Sequence, residues 1–234
     1  MSLEFLSGEQ VEAFGRFTGV PSRSELDRFC VLSDTDVQRA RQRRRPQNRL
    51  GFAVQLVTVR MLGRFLPDPL EVPWEIVEQL AGQVDVDDPS CLKQYAQRVP
   101  TQHEHTREIT AVYGYRAFED AQAQQEFREF VAARAWTSTE GPRKLFERAT
   151  VWLLRHKVLL PGITTLSRRV GEIRDEQAQR LYTAVGALVS PEQAGELEQL
   201  VRVGDGARLS ELERRSGNNR TKSRVGLGLR VPGS

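Results

Sequence analysis

Apolar residues recur along most of this chain at i, i+3, i+4 and i+7, and almost nowhere at the alternation a strand requires. Segments 7–18 and 22–32 each predict a short amphipathic helix, with Gly19-Val20-Pro21 between them. Ser33 with Asp36 three residues later is a capping-box-like start, so a third helix is predicted to run to about Arg44. Pro46 then suits the first turn of a fourth helix, where its missing N–H leaves nothing unsatisfied, and it pushes Arg45 out of helical geometry. The pattern is helix, tight turn, helix.

In the fourth helix Leu50, Ala53, Val54, Val57 and Met61 follow the core-facing period, while Phe52, Leu56 and Val59 lie off that stripe. A helix apolar nearly all round is buried. Its accessible part is then its N-terminal end, residues 43–49, the part that recognition helices present to a DNA groove.

Downstream, prolines mark a loop over 66–73, and Pro73 opens a helix to about Val84. Pro89 starts another over 90–97, and Thr101 with Glu104 predicts a capping box for a helix ending near Tyr113-Gly114. Residues 119–135 are helical by composition, and the loop 137–142 ends at Pro142, which opens a helix over 143–157. Past the Pro161 turn, helices are predicted over 164–189, over 191–202 with Ser190 and Gln193 as cap and partner, and over 209–215. From 216 to 234 the apolar period vanishes among glycine, asparagine and basic residues, the composition of a disordered or extended tail. The expected fold is all-α: two helical subdomains, 1–120 and 121–215, each with a helix-turn-helix-like element, followed by that tail.

Charge changes the picture more than composition does. The net +3 of the chain hides a segment 36–64 with eight arginines against Asp36, followed by 65–92 with seven acids and no lysine or arginine. Only four of the 34 basic residues are lysine, and arginine favours forked contacts with phosphate and guanine, although a GC-rich genome produces the same bias. Concentrated positive charge at a helical turn, with Gln47 and Asn48 beside it, points to nucleic acid. The candidate DNA-binding residues are Arg41, Arg43, Arg44, Arg45, Asn48, Arg49 and Arg60, with Asn48 and Arg49 for base edges and the others for phosphates. Deep in the apolar helix, Arg60 is the one most open to a structural pairing instead.

A second basic stretch, 143–180, carries nine basic residues against four acids. It adds Arg155, Lys157, Thr165, Arg168 and Arg169, with Tyr115 and Arg116, as a second candidate group. A bundle helix with ordinary surface arginines accounts for this stretch equally well.

Other chemistry finds little support. His103 and His105, two apart on a helix, point to different faces; Asp85, Asp87 and Asp88 read as a solvated turn; Gly226 and Gly228 follow no strand. No catalytic constellation, metal site or cofactor is expected. Cys30 and Cys91, 61 positions apart, fit a reduced, cytoplasmic setting. The best apolar stretch, 50–62, is interrupted by Gly51, Gln55 and Arg60 and falls short of the roughly 18 residues of a membrane span.

SDTDVQRARQRRRPQNRLGFAVQLVTVRMLGRFL at 33–66 resembles the opening motif of replicative class II transposases, the Tn-three family. EHTREITAVYGYRAF at 104–118, VLLPGITTLSRRV at 158–170 and ARLSELERR at 207–215 match further, in order. The resemblance implies binding of double-stranded DNA at a transposon's terminal inverted repeats. It places cut-and-join chemistry in a distant C-terminal acidic-triad domain with divalent metal, so this chain is expected to be non-catalytic. The pattern departs near Ser216, as a truncation or shifted reading frame would make it, and truncated relatives of this kind are described as transposase repressors. A second copy or a full-length transposase would be the protein partner. Two other readings stay open: an interaction module whose acidic face at 68–88 docks a basic surface, and an enzyme holding a metal at His103, His105 or the aspartates.

Overall fold

A computed structural model describes residues 5–137 and 141–201. Its helices are α1 (Gly8–Ala13), α2 (Arg23–Phe29), α3 (Asp34–Arg41), α4 (Pro46–Leu62), α5 (Trp74–Gln83), α6 (Leu92–Ala96), α7 (Val99–Tyr113), α8 (Ala121–Thr137), α9 (Pro142–Arg155), α10 (Ile163–Leu188) and α11 (Pro191–Val201). The all-α expectation holds: among the described residues there is no strand, only an isolated parallel bridge between Arg116 and Val158. The helix expected at 209–215 and the tail 216–234 lie outside the described residues.

The described residues up to 178 belong to one compact unit and those from 179 to another. In the first, α4 is the axis and touches α2, α3, α5, α6 and α7. Its buried residues include Phe52, Leu56 and Val59, the positions off the amphipathic stripe, so it is enclosed on all sides as its composition predicts. A second apolar cluster gathers Phe118, Phe127, Val131, Phe146, Leu153, Leu166 and Ile173, with Phe5, Leu6 and Phe14 from the N-terminal end packed against it. Of the second unit the structure describes the end of α10 and α11, on which Leu181, Val185, Leu188 and Leu197 are exposed.

Local chemistry explains most helix starts. Capping boxes pair Ser7 with Gln10, Ser22 with Glu25 and Ser33 with Asp36, and Ser190 with Gln193 repeats the arrangement. One expected cap is overturned. α7 begins at Val99 with Pro100 in its first turn, which puts Thr101 and Glu104 inside the helix, where backbone N–H groups already bond along the chain.

Close approaches need two glycines. A Cβ on Gly51 would lie 2.4 Å from the Tyr95 ring, so α4 and α6 can cross only at this spot because no side chain intervenes. Gly63 ends α4 in the left-handed region at φ 70°, and a Cβ there would sit 2.2 Å from Leu154 Cδ2.

Candidate nucleic-acid interface

The turn between α3 and α4 forms as its residues require. Arg43 N–H bonds the Ala40 carbonyl, Arg45 takes the extended geometry that Pro46 imposes, and its carbonyl accepts from the N–H groups of Asn48 and Arg49. The turn therefore stands at the front of a buried helix. Arg44 and Arg45 are exposed, and no ion pair involves either among the described residues.

The other arginines of the run are more occupied. Arg43, with a side chain only 11% exposed, lies over the Phe52 ring at 3.7 Å and bonds the Arg39 carbonyl and the Glu108 carboxylate of α7. Arg41 pairs with Asp85 at 2.7 Å, and Arg49 Nη1 donates to the Asp85 carbonyl at 3.3 Å. Asp85 holds φ 53°, a left-handed geometry that aspartate tolerates better than most residues. Asn48 is half-buried, its Oδ1 enclosed without a partner. The run lacks acidic neighbours along its own helix, but tertiary structure brings Glu108 and Asp85 from 65 and 44 residues away.

Arg60 is not part of this turn. Eleven residues beyond Arg49, roughly 16 Å along the helix, it donates to both Asp36 oxygens at 2.9 Å and faces the Tyr113 ring. Burial pushes the Asp36 carboxyl up, but the Tyr113 hydroxyl at 2.6 Å, the Ser33 N–H and Arg60 outweigh it and hold the group below its ordinary pKa. A capping acid, a half-buried arginine and a tyrosine thus tie α3, α4 and α7 together.

Beneath the turn, His105 stacks on Tyr95, meets the edge of Phe52 and shares a 3.1 Å hydrogen bond with the Tyr95 hydroxyl. Burial, with help from the Arg43 charge and against that of Glu108, lowers its pKa to about 4. His103, by contrast, is exposed, so the pair faces opposite ways, and no three His, Cys, Asp or Glu side chains among the described residues could hold a metal ion together.

The second candidate group is divided among three places. At the bridge, Arg116 N–H donates to the Lys157 carbonyl, Leu159 N–H to the Arg116 carbonyl, and Lys157 Nζ to the Tyr113 carbonyl. Leu160 N–H reaches the Gly63 carbonyl at 2.8 Å, so this junction also holds the end of α4. Arg116 pairs with Glu126 at 2.7 Å, and Tyr115 packs against the first core. Thr165, Arg168 and Arg169 line a separate hollow of about 280 Å³ with Phe118 and Gln124, the two arginines reaching Glu172. Arg155 faces a groove between α8 and α9.

Two helices joined by an exposed arginine turn, the second of them buried, thus stand within an all-α unit. Residues 5–173 match the family model described as "Domain of unknown function (DUF4158)", and the chain belongs to that family. Its relatives are transposases. It is 39% identical over 213 residues to "Transposase for transposon gamma-delta" of Escherichia coli (strain K12), covering 91% of this chain and 21% of that protein. It is 31% identical over 199 residues to "Transposase for transposon Tn1546" of Enterococcus faecium, covering 85% and 20% respectively. Over 194 residues it is 30% identical to "Transposase for transposon Tn21" of Escherichia coli, covering 82% and 19%. The chain thus spans about a fifth of the length of the curated relatives it matches. No described helix is long and apolar enough to cross a membrane.

Proposed function

We propose that this chain binds the terminal inverted repeats of a transposon as duplex DNA. The observation that carries the reading is the exposure of Arg44 and Arg45, without an ion pair among the described residues, on the turn in front of a buried helix. Phosphates meet these two and Arg41, while Asn48 and Arg49, in the first turn of α4, approach base edges. Arg43 and Arg60 act differently: the first braces the turn against Phe52 and Glu108, the second neutralises buried Asp36. The exposed cations of the second group, Lys157 and Arg168 foremost, add phosphate contacts. Bound at transposon ends, these residues would compete with a transposase for the same sites, which is how repression would arise.

Titration of labelled inverted-repeat duplex at several salt concentrations tests this. Replacing Arg44 and Arg45 with alanine should flatten the slope of log K against log salt by about 0.9 per lost phosphate contact. An unchanged slope would remove both from the interface.

A further inference from the structure

Of the groove between α8 and α9 the reading above uses only the exposed charge of Arg155. It encloses about 530 Å³ and is lined by Phe130, Arg134, Arg148, Trp152, Arg155 and His156, together with Val151 and Glu147. That volume lies within the roughly 300–1,000 Å³ of small-ligand sites. Its single acid, Glu147, is engaged by Arg143 at 3.0 Å, so cations dominate the wall.

Its rings form a ladder. The Arg134 guanidinium lies over Phe130, Phe130 stacks at a 25° tilt on Trp152 with centroids 5.8 Å apart, and Trp152 stacks at 17° on His156 at 4.1 Å. Trp152 is buried, yet His156 is exposed, and its Nδ1–H donates to the Trp152 carbonyl at 2.8 Å, which fixes the imidazole flat on the indole. A helix end thus presents an exposed ring, held in plane by a buried one, among arginines.

We propose that this groove is a stacking site for an unpaired nucleotide, the base continuing the ladder on His156 and its phosphates taken by Arg155 and Arg134. Flat rings and guanidinium groups in one cleft match the two parts of a nucleotide, and sequence-tolerant stacking is how single strands are held. An acidic peptide would satisfy the cations but leave the ring ladder unused. The proposal rests on the reading of this chain as a DNA binder, and extends it from duplex to a strand with unstacked bases.

The full chain is titrated with fluorescein-labelled oligo(dT) and with an abasic strand of equal length. His156→Ala should weaken oligo(dT) binding by roughly 5- to 150-fold, the range of one lost stacked base, while His156→Phe, which keeps a ring over Trp152, stays near the parent. The abasic strand should bind weakly and be indifferent to both variants. Arg155→Glu, a change at an exposed side chain, should weaken both strands, and circular dichroism of each variant checks the fold. Parent-like oligo(dT) binding by His156→Ala overturns the proposal, as does an abasic strand that binds as well as oligo(dT), or a polyglutamate peptide that shows the same dependence on His156. Duplex failure is separable: a chain that ignores inverted repeats but holds oligo(dT) through His156 loses the earlier reading and keeps this one.

Discussion

On the proposed reading, Asp85 occupies the place where a phosphate would meet Arg41. Its carboxylate meets Arg41 and its carbonyl meets Arg49, so an approaching backbone phosphate has to displace a carboxylate already there. Asp85→Asn removes the competing charge and, since asparagine also accepts left-handed geometry, leaves the turn in place. Both partners are half exposed, so the gain should be modest: duplex binding at low salt should tighten roughly 2- to 5-fold. Equal or weaker binding would mean that Asp85 orders the arginines rather than competing with DNA. His105 makes a different prediction. Its pKa falls from 6.5 to about 4 in the fold, so between those values the unfolded chain binds a proton that the folded chain refuses. Stability is therefore full above pH 6.5 and declines as pH falls towards 4, by up to about 3 kcal/mol. Urea unfolding at roughly pH 7 and pH 4.5 should show this decline, and His105→Gln should flatten it. Asp36, already held below its ordinary 3.8, loses its contribution only in more acid solution, so the two effects separate by pH.

At the scale of elements, α4 decides the architecture. Gly51→Ala would drive a methyl group into the Tyr95 ring, and overpacking of this kind costs about 1–3 kcal/mol; a fall of that size in thermal or urea stability, with arginines untouched, is the expected result. A variant as stable as the parent would show that α6 can shift. The burial of α4 was legible because its apolar residues run all round, and its start was legible because Pro46 allows one geometry there. Gly51 was legible only as an interruption, since Tyr95, which needs the space, lies 44 positions away. The start of α7 was misread for a related reason. Thr101 and Glu104 have capping spacing, but Pro100 accepts a first-turn position earlier, and spacing alone does not say which start wins.

Across the whole molecule, the arginine turn could be found from charge, proline and periodicity, and those signals led to Arg44 and Arg45. What divided the rest of the run was tertiary. Glu108 and Asp85 come from other helices and loops, so nothing near Arg41 or Arg43 in the chain announces their partners. The second group failed to gather for the same reason: neighbours in sequence around the Pro161 turn face a backbone bridge, a hollow and a groove. The groove between α8 and α9 left no signal in spacing, because its ladder takes Phe130 from one helix and Trp152 and His156 from another.

The junction at Gly63 carries a consequence in time. The end of the arginine-bearing helix is held by Leu160 N–H and covered by Leu154, residues synthesised about 90 positions later, and Arg116 waits for Val158 in the same way. While the chain is emerging from the ribosome, the first core can collapse early, but its arginine-bearing helix is fastened at its far end only when the segment around 154–160 arrives. Contacts across such distances close late because the intervening loop must be ordered first. The nascent N-terminal half is thus the least secured until that segment has been made.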